Sequence, residues 1–210
     1  MEKLEHLDLR DSEGSMFRFP RSLIFLALGD YMPVIQWLVG PGNIPRNEGL
    51  LLPNLKTLIC RTLQDATVLL LMAWTPRGLP PTTEEIENGE GSILETLHIM
   101  SAEQPEIAFP GRCKDVIDLA MRGLRCSDDT LVPLMTGHLH CVERLDVTHS
   151  DITGYGLKKI IQSSRKLKFV DATGCESLSR DAVEWAQTQN VRVLHQLVQP
   201  KSSGRTVRYV

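Results

Sequence analysis

The motif L-x-x-L-x-L, with Val or another apolar residue standing in for some leucines, recurs along the chain. It reads LEHLDL at 4–9, LKTLIC at 55–60, LETLHI at 94–99, VIDLAM at 116–121, VERLDV at 142–147 and LKFVDA at 167–172. The last three copies start 26 and then 25 residues apart, and a seventh, VRVLHQ, starts at Val191, another 24 residues on. Alternation of apolar residues within each copy gives a short strand with one oily flank. A unit of about 25 residues cannot bury that flank alone, so neighbouring units must stack.

The segments after the late strands repeat as well. THSDITGYGLKKIIQSS comes after VERLDV, and TGCESLSRDAVEWAQTQ after LKFVDA. Each unit therefore reads strand, turn, helix. Thr153 and Ser179 stand where hydroxyl N-caps are expected, with Leu157, Ile160 and Ile161, and then Ala182, Val183 and Ala186, at helical spacing facing inward. Ser127 predicts the same start one unit earlier, with Asp128 and Asp129 in the first helical turn and Leu131 and Leu134 inward. The implied fold is α/β: a short curved solenoid with parallel strands on its concave face and helices on its convex face, over residues 1–198.

Two stretches interrupt the pattern. Within the irregular segment 11–54, SLIFLAL at 22–28 reads as a degenerate strand or a helix, and Pro20 and Pro33 as its limits favour the helix. TPRGLPPTTEEIENGEGS at 75–92 reads as a solvated loop insertion, and 199–210 as a basic tail. Composition excludes several classes. The 23 Lys and Arg against 26 Asp and Glu give a net charge of −3, which provides no global basic field for nucleic acid. Five cysteines without paired spacing point to a reducing compartment, cytoplasmic or nuclear. The most apolar run, 22–39, is cut by Asp30 and Pro33, so no membrane span is expected.

The repeats resemble leucine-rich repeats of the cysteine-containing, ribonuclease-inhibitor-like type. Cys175 occupies the ninth position of its unit and Cys113 stands three residues before Val116, both favoured cysteine sites in that family; Ser150, Leu124 and Ala102 hold the ninth position elsewhere. Residues 94–196 are similar to the carboxy-terminal repeats of F-box leucine-rich-repeat proteins, particularly fungal ones. The resemblance implies the substrate-binding region of an SCF-type ubiquitin ligase subunit, joined to ligase components through an F-box that these residues do not contain. A repeat starting at Leu4 without a cap is expected to belong to a fragment or to meet a partner. The alternatives are a free-standing scaffold or inhibitor, and a GTPase activator of the RanGAP kind, whose longer repeats fit the 24–26 spacing poorly.

Chemical motifs are weak. HLHC at 138–141 with His149 lacks a tetrahedral ligand set, GYG at 154–156 lacks the rest of a phosphate loop, and no nucleophile motif occurs. Neither enzyme activity, nor a cofactor, nor a metal is expected. Recognition of a protein partner remains, and strand alternation places it on the third, fifth and seventh positions of each unit. The third positions are His6, Thr57, Thr96, Asp118, Arg144 and Phe169. The fifth are Asp8, Ile59, His98, Ala120, Asp146 and Asp171. The seventh are Arg10, Arg61, Met100, Arg122, Thr148 and Thr173. Apolar anchors among charges mark the expected partner-binding set: Ile59, Arg61, His98, Met100, Arg122, Arg144, Asp146, Phe169 and Asp171. Asp146 and Asp171 are expected to form an acidic spot near Arg144, and Arg61 and Arg122 to flank Met100.

Overall fold

The computed structural model describes residues 3–10, 20, 22–29, 52, 54–61, 94–100, 115–123, 126–137 and 139–196. Eight strands form one open, all-parallel sheet whose order follows the chain. They are β1 (His6–Leu9), β2 (Phe25–Leu28), β3 (Thr57–Cys60), β4 (Thr96–Ile99), β5 (Asp118–Met121), β6 (Arg144–Asp146), β7 (Phe169–Asp171) and β8 (Arg192–Leu194). Each strand pairs only with those before and after it in sequence, an arrangement that fits a solenoid-like arc. Three helices are described: α1 (Val132–Met135), α2 (Gly154–Ser163) and α3 (Arg180–Thr188).

The leucines point inward as the alternation requires. Leu26, Leu58, Leu97, Leu119, Leu145 and Val170 occupy successive rungs, each wholly buried. Cys60, Ile99, Met121 and Val147 add a second buried row two residues further along. Fully burying one such side chain is worth about 1.5–3 kcal/mol before ordering costs. At the β1 end the flank is less covered, and Leu4 is 38% exposed.

The segment at 22–28 is a strand, not a helix. LIFLAL at 23–28 is itself L-x-x-L-x-L, and β2 inserts between β1 and β3 with Leu23, Leu26 and Leu28 buried. The reading of the prolines as helix limits gave way to pairing with the open edges of β1 and β3. The rest of 11–54, apart from Pro20, Gly29, Leu52 and Asn54, lies outside the described residues, as do 75–92, 199–210, Cys113, Leu124, Ala102 and His138.

The last rung shifts by one residue against the motif alignment. Phe169 pairs with Arg192 and Val170 with Val193, so Val193 is buried while Leu194 is 37% exposed. A slip of one flips every side chain, and burial of Val191 and Val193 together selects the observed register.

The helices α2 and α3 start as their caps predict. The Thr153 hydroxyl accepts from Gly156 N–H at 3.3 Å and the Ser179 hydroxyl from Ala182 N–H at 3.3 Å. Leu157, Ile160, Ile161, Ala182 and Ala186 are buried, with Val183 partly so. The unit before differs from expectation. Helix α1 begins at Val132 with Leu131 as its unassisted N-cap, although Leu131 and Leu134 are buried as predicted. Ser127 instead bridges to Asp151, and Asp128 caps the next unit, accepting from Thr153 N–H at 2.9 Å and Thr153 Oγ1–H at 2.6 Å. Asp128 thus holds the hydroxyl that holds α2. There the carboxylate satisfies two donors at the start of α2.

The eighth position of each late unit adopts a left-handed backbone: Gly123 at φ 116°, His149 at 57° and Gly174 at 76°. Gly174 is needed on a second count, since a β-carbon there would collide with the His149 ring.

Candidate functional site

Ladder register brings the predicted partner-binding residues onto one face, opposite the buried leucines. Asp118, Arg144, Phe169 and Arg192 are successive rungs of one row, and Ile59, His98, Ala120, Asp146, Asp171 and Leu194 of the next. Met100, Arg122, Thr148 and Thr173 stand two residues beyond. Arg61 lies exposed just after β3.

The face is knit together by charge. The Arg144 guanidinium lies 5.4 Å from the centre of the Phe169 ring and 3.8 Å from Asp118 Oδ2. Asp118 also faces His98, Nε2 to Oδ1 at 3.4 Å. Arg122 donates from Nε and Nη2 to Asp146 Oδ2 at 2.8 and 2.5 Å, and its Nη1 lies 4.0 Å from Met100 Sδ. Asp146 and Asp171 stand as register neighbours, as expected. Arg122, not Arg144, neutralises Asp146, while Asp171 has no ion-pair partner among the described residues.

The fifth-position aspartates also have a local task. Asp8 accepts from Arg10 N–H at 3.1 Å, Asp146 from Thr148 N–H at 3.0 Å and Asp171 from Thr173 N–H at 3.0 Å. Each ends its strand by satisfying the donor two residues on. These turn hydrogen bonds explain Asp146 and Asp171 without a ligand, which leaves Ile59, Arg61, His98, Met100, Arg122, Arg144 and Phe169 as the members of the predicted set that no such turn requires. Met100 is 43% exposed and the Arg144 side chain 65%.

Burial alone would raise the Asp146 carboxyl, but the hydrogen bonds from Arg122 and Thr148 outweigh it and hold it below the ordinary aspartate range. With the folded value depressed, the pair's stabilisation is present above that range and is lost as pH falls through it. Arg122→Ala is expected to flatten this part of the stability-against-pH curve, measured by urea unfolding across the acid range. A curve as steep as wild type would show that Arg122 does not set the Asp146 charge.

Cysteine chemistry is subdued. Cys60, Cys126, Cys141 and Cys175 carry reduced thiols, all but Cys141 buried. Burial pushes Cys126 up to about 12 and also raises Cys175, whose Sγ–H donates to Val147 O at 3.0 Å. Both stay protonated and inert. Iodoacetamide on the native protein, mapped by peptide mass spectrometry, is expected to label Cys141 and to reach Cys60, Cys126 and Cys175 only after unfolding. Labelling of Cys126 at the rate of Cys141 would contradict this packing.

Among the described residues His140, Cys141 and His149 do not converge into a metal-binding group. Gly154 and Gly156 owe their identity to packing against Ala182 and Asp128. No helix among the described residues is long and apolar enough to cross a membrane. The chain matches no protein-family model and no curated protein.

Proposed function

We propose that the chain is a leucine-rich-repeat solenoid serving as a non-catalytic protein-recognition module, whose partner seats on the strand face around Met100, Arg144 and Phe169. The observation that supports this reading is the Arg144 guanidinium over the Phe169 ring, with Met100 exposed further along the same sheet face, opposite the buried leucines. Cation-stacked aromatics and exposed methionine set among charged residues are the composition of an interface. His98, Asp146 and Asp171 lie on the row between these anchors and Arg122 lies against Met100, with Ile59 and Arg61 extending the face toward β3. The resemblance of residues 94–196 to F-box leucine-rich-repeat proteins extends the proposal: this is the substrate-binding region of an SCF-type ubiquitin ligase subunit, acting in the cytoplasm or nucleus. That extension rests on the sequence resemblance alone.

Affinity purification of the full-length gene product is the test. The ligase reading expects a Skp-type adaptor and a cullin to co-purify, and their reproducible absence removes it. For the face itself, Met100→Ala with Arg144→Glu is expected to weaken capture of the bound substrate about tenfold or more while shifting stability by less than about 1 kcal/mol. Unchanged capture moves the site off the strands. Arg122 is a poor probe, because Arg122→Glu would set two carboxylates together at half-buried Asp146; we expect it to cost about 1.5–3 kcal/mol in urea unfolding.

A further inference from the structure

Between Asp151 and Asp171 the chain carries five cations, Lys158, Lys159, Arg165, Lys166 and Lys168, and no acidic residue, within a protein of net charge −3. Lys168 alone of the five has a carboxylate within ion-pair reach among the described residues, Glu143 at 2.7 Å. All five are exposed. Lys158 and Lys159 ride on the outer side of α2, each over an aromatic ring at 5.7 Å, Trp185 from α3 and Tyr155 one turn earlier. Tyr155 is 66% exposed. Arg165 and Lys166 come after the helix end, where Lys166 Nζ rests 3.6 Å from Cys141 Sγ. Lys158 and Lys159 thus lie on α2, while Arg165 and Lys166 lie in the turn after it, Lys166 in a groove shared with Glu95, Asp115 and Glu143; none of the four belongs to the strand face.

We propose that the outer side of α2, with the turn that follows it, is a second interaction surface, built to hold a short acidic segment of a partner protein. Four cations without a carboxylate partner among the described residues offer charge complementarity to Asp and Glu side chains. The aromatic rings favour a peptide over nucleic acid: base stacking uses a free ring face, and one face of each ring is already taken by a lysine. The extent agrees: the ten residues of α2 span about 15 Å, and α3 beside it carries exposed Asp181 and an Arg180–Glu184 ion pair, so the positive surface does not continue onto α3 as a long polyanion or an anionic membrane would need.

Fluorescence anisotropy of fluorescein-labelled octaglutamate with the whole chain, at about 50 mM salt, tests the proposal. The combined variant Lys158→Gln, Lys159→Gln, Arg165→Gln and Lys166→Gln is expected to weaken binding about tenfold or more. If that variant does not hold its fold by circular dichroism, Lys158→Gln with Lys159→Gln serves, with a loss of about threefold or more expected. Met100→Ala with Arg144→Ala should leave octaglutamate affinity within about twofold, which separates this surface from the strand face. Equal binding by the lysine variants overturns the proposal. So does tighter binding of wild type to an oligothymidylate of equal charge, or to phosphatidylserine vesicles, than to octaglutamate.

Discussion

Truncating Leu119 to alanine is expected to lower the free energy of unfolding by about 2–5 kcal/mol. Leu119 sits on a central rung, paired in register with Leu97 and Leu145 and wholly buried. Its removal opens a void walled on both sides by equally buried leucines, which the sheet cannot close without breaking register. Leu7→Ala, at the half-covered β1 end, is expected to cost less, since that side chain still meets water. Urea denaturation of both variants, with unchanged slope, measures the difference. A smaller loss at Leu119 than at Leu7 would mean that the rungs do not shelter one another.

Gly156→Ala is the second. On helix propensity alone the change would gain about 1 kcal/mol. The Asp128 carboxylate occupies the space of the missing β-carbon, however, and must leave, taking with it both hydrogen bonds to Thr153 that organise the α2 N-terminus. The expected net result is a loss of about 1–3 kcal/mol. In an Asp128→Ala background the obstacle is gone, and the same substitution is expected to become neutral or stabilising. That reversal of sign in a double-mutant cycle distinguishes a cross-unit clash from a local backbone effect. Equal costs in the two backgrounds would show that Asp128 does not reach Gly156.

The contrast between Leu119 and Asp128 also explains which parts of the molecule could be read from the chain. Rungs were legible because burial on one side forces period-two alternation, and Thr153 and Ser179 because a cap needs a hydroxyl at one position. The strand at 23–28 carried the full leucine signature in LIFLAL and was obscured by flanking prolines, whose helix-limiting meaning also suits the ends of a strand. The β8 register was ambiguous because Val191, Val193 and Leu194 offer two apolar alternations, and only packing against Val170 chooses between them. Asp128 could not be placed from its own neighbourhood, since its partner lies 25 residues away.

The face was legible as rows and not as pairings. Period two assigns Arg122, Arg144 and Asp146 to one side, but which arginine meets which aspartate depends on side-chain reach across rungs. Arg144 turns to Phe169 and Asp118, leaving Asp146 to Arg122.

Both the core and the face depend on strands standing beside their sequence neighbours with third positions aligned. Disulfide trapping in a Cys141→Ser background measures that alignment directly. Arg144→Cys with Phe169→Cys, register partners on adjacent strands about 4.8 Å apart, is expected to cross-link within the monomer on mild oxidation, whereas Arg144→Cys with Val170→Cys, on opposite faces, is not. Cross-linking of the second pair in preference to the first would contradict the ladder and with it the face.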